Sequence, residues 1–425
     1  MSLFYPFPYI EHIDDVRPHI DEGFRSIEKD GLIFINYNNL SPDVFPPVVM
    51  PQGHVEGRPY MIDRLEGMLA YAAAVRRECR GIAFDAVSGK IVSRPLHKFF
   101  NVNERPDVTV DLLGDVREHV VIEKLDGSMV RPLFIAGGVR WGTKMGVTET
   151  AMLAEEFVAD KPQYRLFAEA CREGGLTPVF EFCSRRARIV VDYPEDQMVL
   201  LAVRGNVNGQ YVSRSGLETL AREYGVPVVG SWGSHDDPEG LIQRVRNMDT
   251  GEGVVLNVGG GHAVKIKADA YVQLHKAKDH LRTEMDLLDL VFNERLDDVL
   301  PLLSNDEQDR VWHFLRRFNS ELARVGAHID ECFAASKVLY AERKDFAVDS
   351  IMQQPWKGRV LDLWNSKFSN GLDAITTTIK RLMSSGEFGQ PGYKHRSALS
   401  SYGALKSTYG LNTGWDEIMY GKEDE

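Results

Sequence analysis

Hydrophobic and polar positions fall into two regimes along this chain. Up to about residue 280, apolar residues come in short runs, several alternating with polar ones as half-buried strands require. The runs Leu32–Tyr37, Cys79–Phe84, Ile91–Ser93, Val120–Lys124, Val130–Ile135, Val139–Met145, Pro178–Phe182, Met198–Val203, Gly253–Asn257 and Ala263–Lys267 read as strands. Gly137-Gly138 and Gly259-Gly260-Gly261 read as hairpin turns between neighbouring runs. Residues 58–77, 151–173 and 214–224 carry helical spacing, and the last of these ends at Gly225. From residue 281 the strand signal disappears. Residues 281–303, 306–333 and 360–382 repeat apolar positions every three to four residues and read as long helices. Residues 384–392 form a Gly/Pro/Ser loop, and the acidic end 422–425 reads as a frayed tail. The expected organisation is a strand-rich domain over 1–280 and an all-helical domain over 281–425.

With 425 residues, 43% hydrophobic and 26% charged, the chain has the bulk of an ordinary globular protein of two or three domains. No stretch reaches the ~18 uncharged apolar residues of a membrane span. The first residues lack a basic region followed by an apolar core, so no signal peptide is expected. Cys79, Cys171, Cys183 and Cys332 are scattered, which fits buried free thiols in the cytosol better than zinc or a disulfide framework. A net charge of −12 argues against a nonspecific nucleic-acid coat protein and leaves a local basic groove open. The chain holds no Walker-type Gly-Lys-Ser/Thr loop, no zinc-protease His-Glu helix and no Gly-x-Ser-x-Gly elbow.

The chemistry concentrates at Lys124, within Glu123-Lys124-Leu125-Asp126-Gly127. A β-rich run delivers this amine to its end, and a tight turn follows, which presents a nucleophile at a pocket rim. A lysine attacks only when neutral, and its free pKa lies near 10.4, so nearby cations or desolvation must disfavour the ammonium. Lys265 and Lys267, two apart on one strand, share a face and supply such cations, with Lys144 on the hairpin after the nucleophile. Glu181 in Phe180-Glu181-Phe182 and Glu252 before Gly253 supply carboxylates, and magnesium needs only one or two of these. Each piece also has an ordinary reading. Glu181 fits an exposed strand residue, Lys265 and Lys267 fit the wet face of an amphipathic strand, and Gly127 fits a plain turn.

Order and spacing separate the readings. Lys-x-Asp-Gly, Phe-Glu-Phe, Glu-Gly-Val-Val and Lys-x-Lys follow one another at strand positions. The ordered set resembles the covalent nucleotidyltransferase superfamily of polynucleotide ligases and mRNA capping enzymes. Upstream, Cys79-Arg80-Gly81-Ile82-Ala83-Phe84 and Ser93-Arg94-Pro95-Leu96-His97-Lys98-Phe99-Phe100-Asn101 resemble the signature of phage-type ATP-dependent RNA ligases that repair broken tRNA. The resemblance covers residues 30–280. The helical segment agrees with that family in position and size but shows no motif. Leu125 takes a variable position where a polar residue is common.

The resemblance implies an α+β fold. Antiparallel sheets with flanking helices form a nucleotidyltransferase of ATP-grasp-like character over 1–280, followed by an all-helical C-terminal domain for RNA recognition. It implies that Lys124 takes AMP from ATP and that Gly127 lets the backbone approach the nucleotide. Arg80, Lys98 and Lys144 hold phosphates, and Phe100 packs beside the nucleotide, although without the resemblance Phe99-Phe100 reads more often as core. Glu181 and Glu252 serve Mg²⁺ or Mn²⁺ and the sugar, with Gly253 beside them. Lys265 and Lys267 contact the α-phosphate. Tyr37 matches an aromatic of the family's N-terminal strand across an insertion. The implied partner is a tRNA-like RNA with 5′-phosphate and 3′-hydroxyl ends, with a separate kinase-phosphatase to heal them. A DNA ligase or a GTP-using capping enzyme is the alternative, and no OB-fold pattern after Lys267 supports it. A catalytically idle RNA-binding relative is a further alternative, against which the intact Lys124, Glu252, Lys265 and Lys267 argue.

Overall fold

The computed structural model describes residues 5–38, 42–49, 65–114, 119–279, 281–349, 354–384 and 396–421. The expected helical start at 58–64, the loop from 385 and the acidic tail lie outside these residues. The chain divides into two compact units, Met1–Val272 and Gln273–Glu425.

The first unit carries, among the described residues, the strands β1 (Phe24–Lys29), β2 (Leu32–Tyr37), β3 (Arg80–Asp85), β4 (Ile91–Ser93), β5 (His119–Lys124), β6 (Ser128–Ile135), β7 (Gly138–Gly142), β8 (Leu176–Cys183), β9 (Gln197–Gly205), β10 (Ser231–Gly233), β11 (Gly253–Val258) and β12 (His262–Lys267). They form three antiparallel four-stranded sheets, ordered β1-β2-β3-β4, β10-β5-β11-β12 and β7-β6-β8-β9. The near-continuous apolar runs of β5 and β11 follow from burial on both faces. Val121, Val254 and Leu256 join one core with Ile35, Ile82, Phe84 and Phe100. Ile122 and Val255, one residue on, join another with Phe99, Leu125, Cys183 and Val199. The middle sheet is therefore held from both sides, which fixes its register and the height at which Lys124 emerges.

Helices flank the sheets. Leu65–Glu78 leads into β3, and Arg214–Tyr224 is capped by Ser213. Residues 151–173 hold two helices rather than one, Glu149–Val158 and Pro162–Glu173, because a proline fits the first turn of a helix and breaks its interior.

The second unit is helical throughout its described residues. Its longest helix, Asn305–Leu339, starts with a capping box in which Ser304 and Glu307 satisfy each other's backbone amides. The run 281–303 breaks into Glu284–Phe292 and Leu296–Val299, with Glu294 between them at φ 55°. The run 360–382 breaks as well, between Gln354–Trp364 and Gly371–Ser384, with Ser366 at φ 54°. Leu287, Phe314, Phe318, Ile329, Ile375 and Ile379 lie in its core.

Candidate active site

Lys124 ends β5 opposite Gly253 of β11, and Gly253 in turn faces Lys267 of β12. These three residues form one row across the sheet. Glu252, next to that row, reaches both lysines. Its buried carboxylate lies 2.5 Å from Lys124 Nζ through Oε2 and 2.9 Å from Lys267 Nζ through Oε1. Gly253 makes this possible. It sits at φ +136°, and an added Cβ would meet the backbone carbonyl of Ile266 and lie 2.8 Å from Lys267 Cα.

Four further cations gather in this unit. Lys265 shares a face with Lys267 and lies 4.8 Å above the Phe99 ring. Burial, then Arg80, Lys98, Lys124 and Lys267, hold its ammonium well below the ordinary lysine range. Lys98 lies 5.0 Å from the Phe100 ring and 5.6 Å from that of Tyr37, and burial lowers its pKa too. Lys144 lies 5.1 Å from the Tyr37 ring. Arg80 stacks 5.9 Å from Phe99, and its buried Nη1 has no hydrogen-bond partner among the described residues. None of Arg80, Lys98, Lys144 and Lys265 forms an ion pair among those residues, in contrast to Lys124 and Lys267.

The backbone brings the loop with Lys144 to this cluster. Gly81 sits at φ +90°, and an added Cβ would lie 2.7 Å from Lys144 Cα, so residue 81 must lack one. Buried Asn36 donates from Nδ2 to Met145 Sδ at 3.0 Å, holding the same loop against β2.

Glu181 stands on β8 opposite Met129, and its Oε1 accepts the Gly127 amide at 3.2 Å. Burial, opposed by Lys124 and Arg80 and reinforced by Glu252, pushes its carboxyl up to about 7. A carboxyl that buried beside a second one is a cation-seeking arrangement. Among the described residues no set of three or more His, Cys, Asp or Glu stands ready for a metal. Glu181 and Glu252 are two carboxylates, which matches what magnesium takes from a protein when phosphates and waters complete its shell.

Two expected roles look different in three dimensions. Phe100 lies in the core, with the Lys98, Arg77 and Arg105 cations over its ring, while Phe99 faces Arg80 and Lys265. Gly127 packs against β8, where a Cβ would meet the Phe182 carbonyl at 2.5 Å, a constraint separate from any nucleotide. Leu125 is apolar because it is buried beside Phe99, Ile122 and Cys183.

Sequence reasoning missed the supports of the loop that follows Lys124. Asp126 is buried, and its carboxylate accepts the amides of Val190 and Val191 at 2.8 and 2.7 Å and the Tyr271 hydroxyl at 2.7 Å. Its own amide donates to the Tyr193 hydroxyl at 2.8 Å. The Tyr271 ring also lies 5.0 Å from Lys267 Nζ, so one side chain touches both ends of the site. The arginine of the upstream Arg-Pro element, Arg94, is fully buried and structural. With Arg204 it clamps Glu78, at 3.0 and 2.7 Å.

Residues 78–271 match the sequence model of a family described as RNA ligase. Over this segment, less than half of the chain, the sequence is similar to that family. The matched segment holds every expected site residue except Tyr37, and it also holds Asp126, Tyr193 and Tyr271. The chain is similar to a Thermovibrio ammonificans protein named as an inferred RNA ligase, 30% identical over 251 residues, covering 57% of this chain and 65% of that one. It is similar to RNA ligase 1 of Bacteriophage TS2126, 27% identical over 238 residues, covering 54% and 59%. A third relative is a protein of Autographa californica nuclear polyhedrosis virus named as an inferred bifunctional polynucleotide kinase/RNA ligase, 25% identical over 244 residues, covering 53% and 34%. The chain thus spans less than two thirds of the length of each of these relatives.

Proposed function

We propose that this chain is an ATP-dependent RNA ligase that works through AMP bound to Lys124. The observation that carries the reading is Glu252 bridging Lys124 and Lys267 beside four cations that form no ion pair among the described residues. Glu252 Oε2, 2.5 Å from Lys124 Nζ, would take the proton that Lys124 must lose. The amine then attacks the α-phosphorus of ATP. An N–P bond forms and the bond to the β-phosphate oxygen breaks, releasing pyrophosphate. Next, an oxygen of the RNA 5′-phosphate attacks the same phosphorus. The N–P bond breaks, the lysine regains a proton, and a 5′-5′ pyrophosphate results. Last, the RNA 3′-hydroxyl loses its proton and attacks the RNA 5′-phosphorus, expelling AMP. All three are phosphoryl transfers, so one set of fixed charges serves them all.

In this reading, Lys265 and Lys267 face the α-phosphate, while Arg80, Lys98 and Lys144 neutralise the leaving phosphates. Partnerless cations in a half-buried site are costly until an anion arrives, so ATP relieves the repulsion that lowers the Lys265 pKa. Glu181 and Glu252 would hold Mg²⁺ or Mn²⁺, which when bound supplies charge neutralisation on the phosphates. The helical unit is assigned to RNA recognition, on a tRNA-like stem with a broken loop. The baculovirus relative's name joins ligase to kinase, which supports a separate end-healing activity acting before this chain. A cytosolic setting fits the free thiols Cys79, Cys171 and Cys183, all buried. No helix of the described residues is long and apolar enough to cross a membrane.

Incubation with α-labelled ATP or GTP and Mg²⁺, followed by a denaturing gel, tests the reading. Label retained from ATP alone, and absent in Lys124→Ala, is the expected result. Label from GTP points to a capping-type enzyme, and no label from either points to a binding protein. Circularisation of a 5′-phosphorylated single-stranded RNA and not of its DNA counterpart fixes the substrate class.

A further inference from the structure

The cation cluster around Lys124 does not stop at Lys144. β1 is an edge strand, and its Arg25 pairs with Asn36 of β2, which pairs with Arg80 of β3. The β2–β3 register shifts between Ile35 and Asn36, so the shared face is fixed between Arg25 and Asn36, and Arg80 lies two strand spacings from Arg25, at about 10 Å. Arg25 and Asn36 meet the same atom, Met145 Sδ, at 3.1 and 3.0 Å. Lys29, four residues on and on the same face, donates from Nζ to the Val147 carbonyl at 2.7 Å. Both side chains are exposed and rest on the loop that carries Lys144.

What they bond to leaves their charge intact. A thioether is a weak acceptor, and a single carbonyl uses one of three ammonium donors. Among the described residues neither Arg25 nor Lys29 forms an ion pair. About half of the other exposed arginines close to a carboxylate, as Arg140 does with Glu155 and Arg186 with Glu156, so the charge of Arg25 counts here for its place beside the Lys144 loop. In a chain of net charge −12, an exposed, unneutralised pair continuous with the phosphate-holding residues is an anion track. A guanidinium and an ammonium four residues apart on an extended strand are about 13 Å apart along the backbone, the reach of alternate rather than successive phosphates on an extended single strand.

Building on the ligase reading above, we propose that the β1 edge, through Arg25 and Lys29, binds backbone phosphates of the RNA strand whose end enters the pocket. ATP carries the same phosphate chemistry, so the test must separate the two sources. The full chain carrying Arg25→Ala and Lys29→Ala is compared with wild type in two assays. One measures AMP labelling against ATP concentration, and the other measures binding of a 5′-phosphorylated single-stranded RNA over a series of KCl concentrations. The expected result is unchanged ATP half-saturation, roughly tenfold weaker RNA binding, and a salt slope shallower by about 1.4, at about 0.7 for each lost single-strand phosphate contact. The exchanged pair Arg25→Lys with Lys29→Arg keeps both charges and restores binding and slope. RNA binding and slope equal to wild type overturn the proposal. So does a rise in ATP half-saturation with unchanged RNA binding, which would make the pair a clamp on the Lys144 loop. If wild type takes no label from ATP, the ligase reading fails by itself, and the RNA-binding arm still judges the β1 edge.

Discussion

Glu252 holds two lysines with one carboxylate, which makes it the residue whose loss is felt twice. Glu252→Gln keeps the volume but removes the charge that Lys124 and Lys267 share. AMP labelling is expected to fall by at least two orders of magnitude, the range seen when a positioned acid or base is removed, while circular dichroism stays that of the wild type. Tyr271→Phe separates the two contacts of that side chain. The ring remains under Lys267 and the hydroxyl bond to Asp126 is lost. The buried acceptor left behind costs about 1–3 kcal/mol, read as a lower midpoint in urea unfolding, and a slower labelling rate is expected because the Lys124 loop loses a support. Glu181 gives the pH dependence. Its folded pKa, about 7, is raised above the ordinary 4.5, so native protein holds the proton longer than unfolded protein does. The contribution is present below the unfolded value and lost as pH rises towards 7. Without metal or nucleotide, Glu181→Gln is therefore expected to gain stability relative to wild type between pH 5 and pH 8, by on the order of 1 kcal/mol for a half-buried group. Urea midpoints at the two pH values check the sign, and an equal difference at both would contradict it.

At the scale of elements, the strands that carry the site are where local pattern and tertiary structure agree. β5 and β11 read as continuous apolar runs because each face meets a different core. Lys265 and Lys267 read as sharing a face because strand geometry makes them do so. The failures have physical reasons. Pro162 cuts a helical stretch whose apolar spacing continues through it, and Glu294 and Ser366 turn the chain in a left-handed conformation that a periodicity cannot reveal. Asp126, Tyr193, Tyr271 and Asn36 escaped notice because their work lies in contacts with residues 64, 67, 145 and 109 positions away. Gly253 and Gly81 act between elements. Gly253→Ala must shift β11 from β12, and with a positive φ it is expected to cost about 1–3 kcal/mol or more and to abolish labelling through Glu252 and Lys267. Gly81→Ala pushes on the loop of Lys144. A higher ATP half-saturation, with less change in the maximal labelling rate, is its expected mark.

At the scale of the molecule, the chain divides at 272/273, and the described site residues all lie in the first unit. A fragment of residues 1–279, which keeps the helix Asp269–Asp279 whole, is expected to label with AMP at a rate close to that of the full chain. It is expected to join RNA poorly, because the helical unit is assigned to the substrate. Equal RNA joining by the fragment would remove that assignment. Protein incubated with ATP and Mg²⁺, digested and mapped by mass spectrometry under conditions that preserve phosphoramidates, is predicted to carry one adenylyl group, on the peptide containing Lys124 and on its Nζ. An adenylyl group on another residue, or full ATP-dependent RNA joining with Lys124 unmodified or replaced by alanine, would contradict the account.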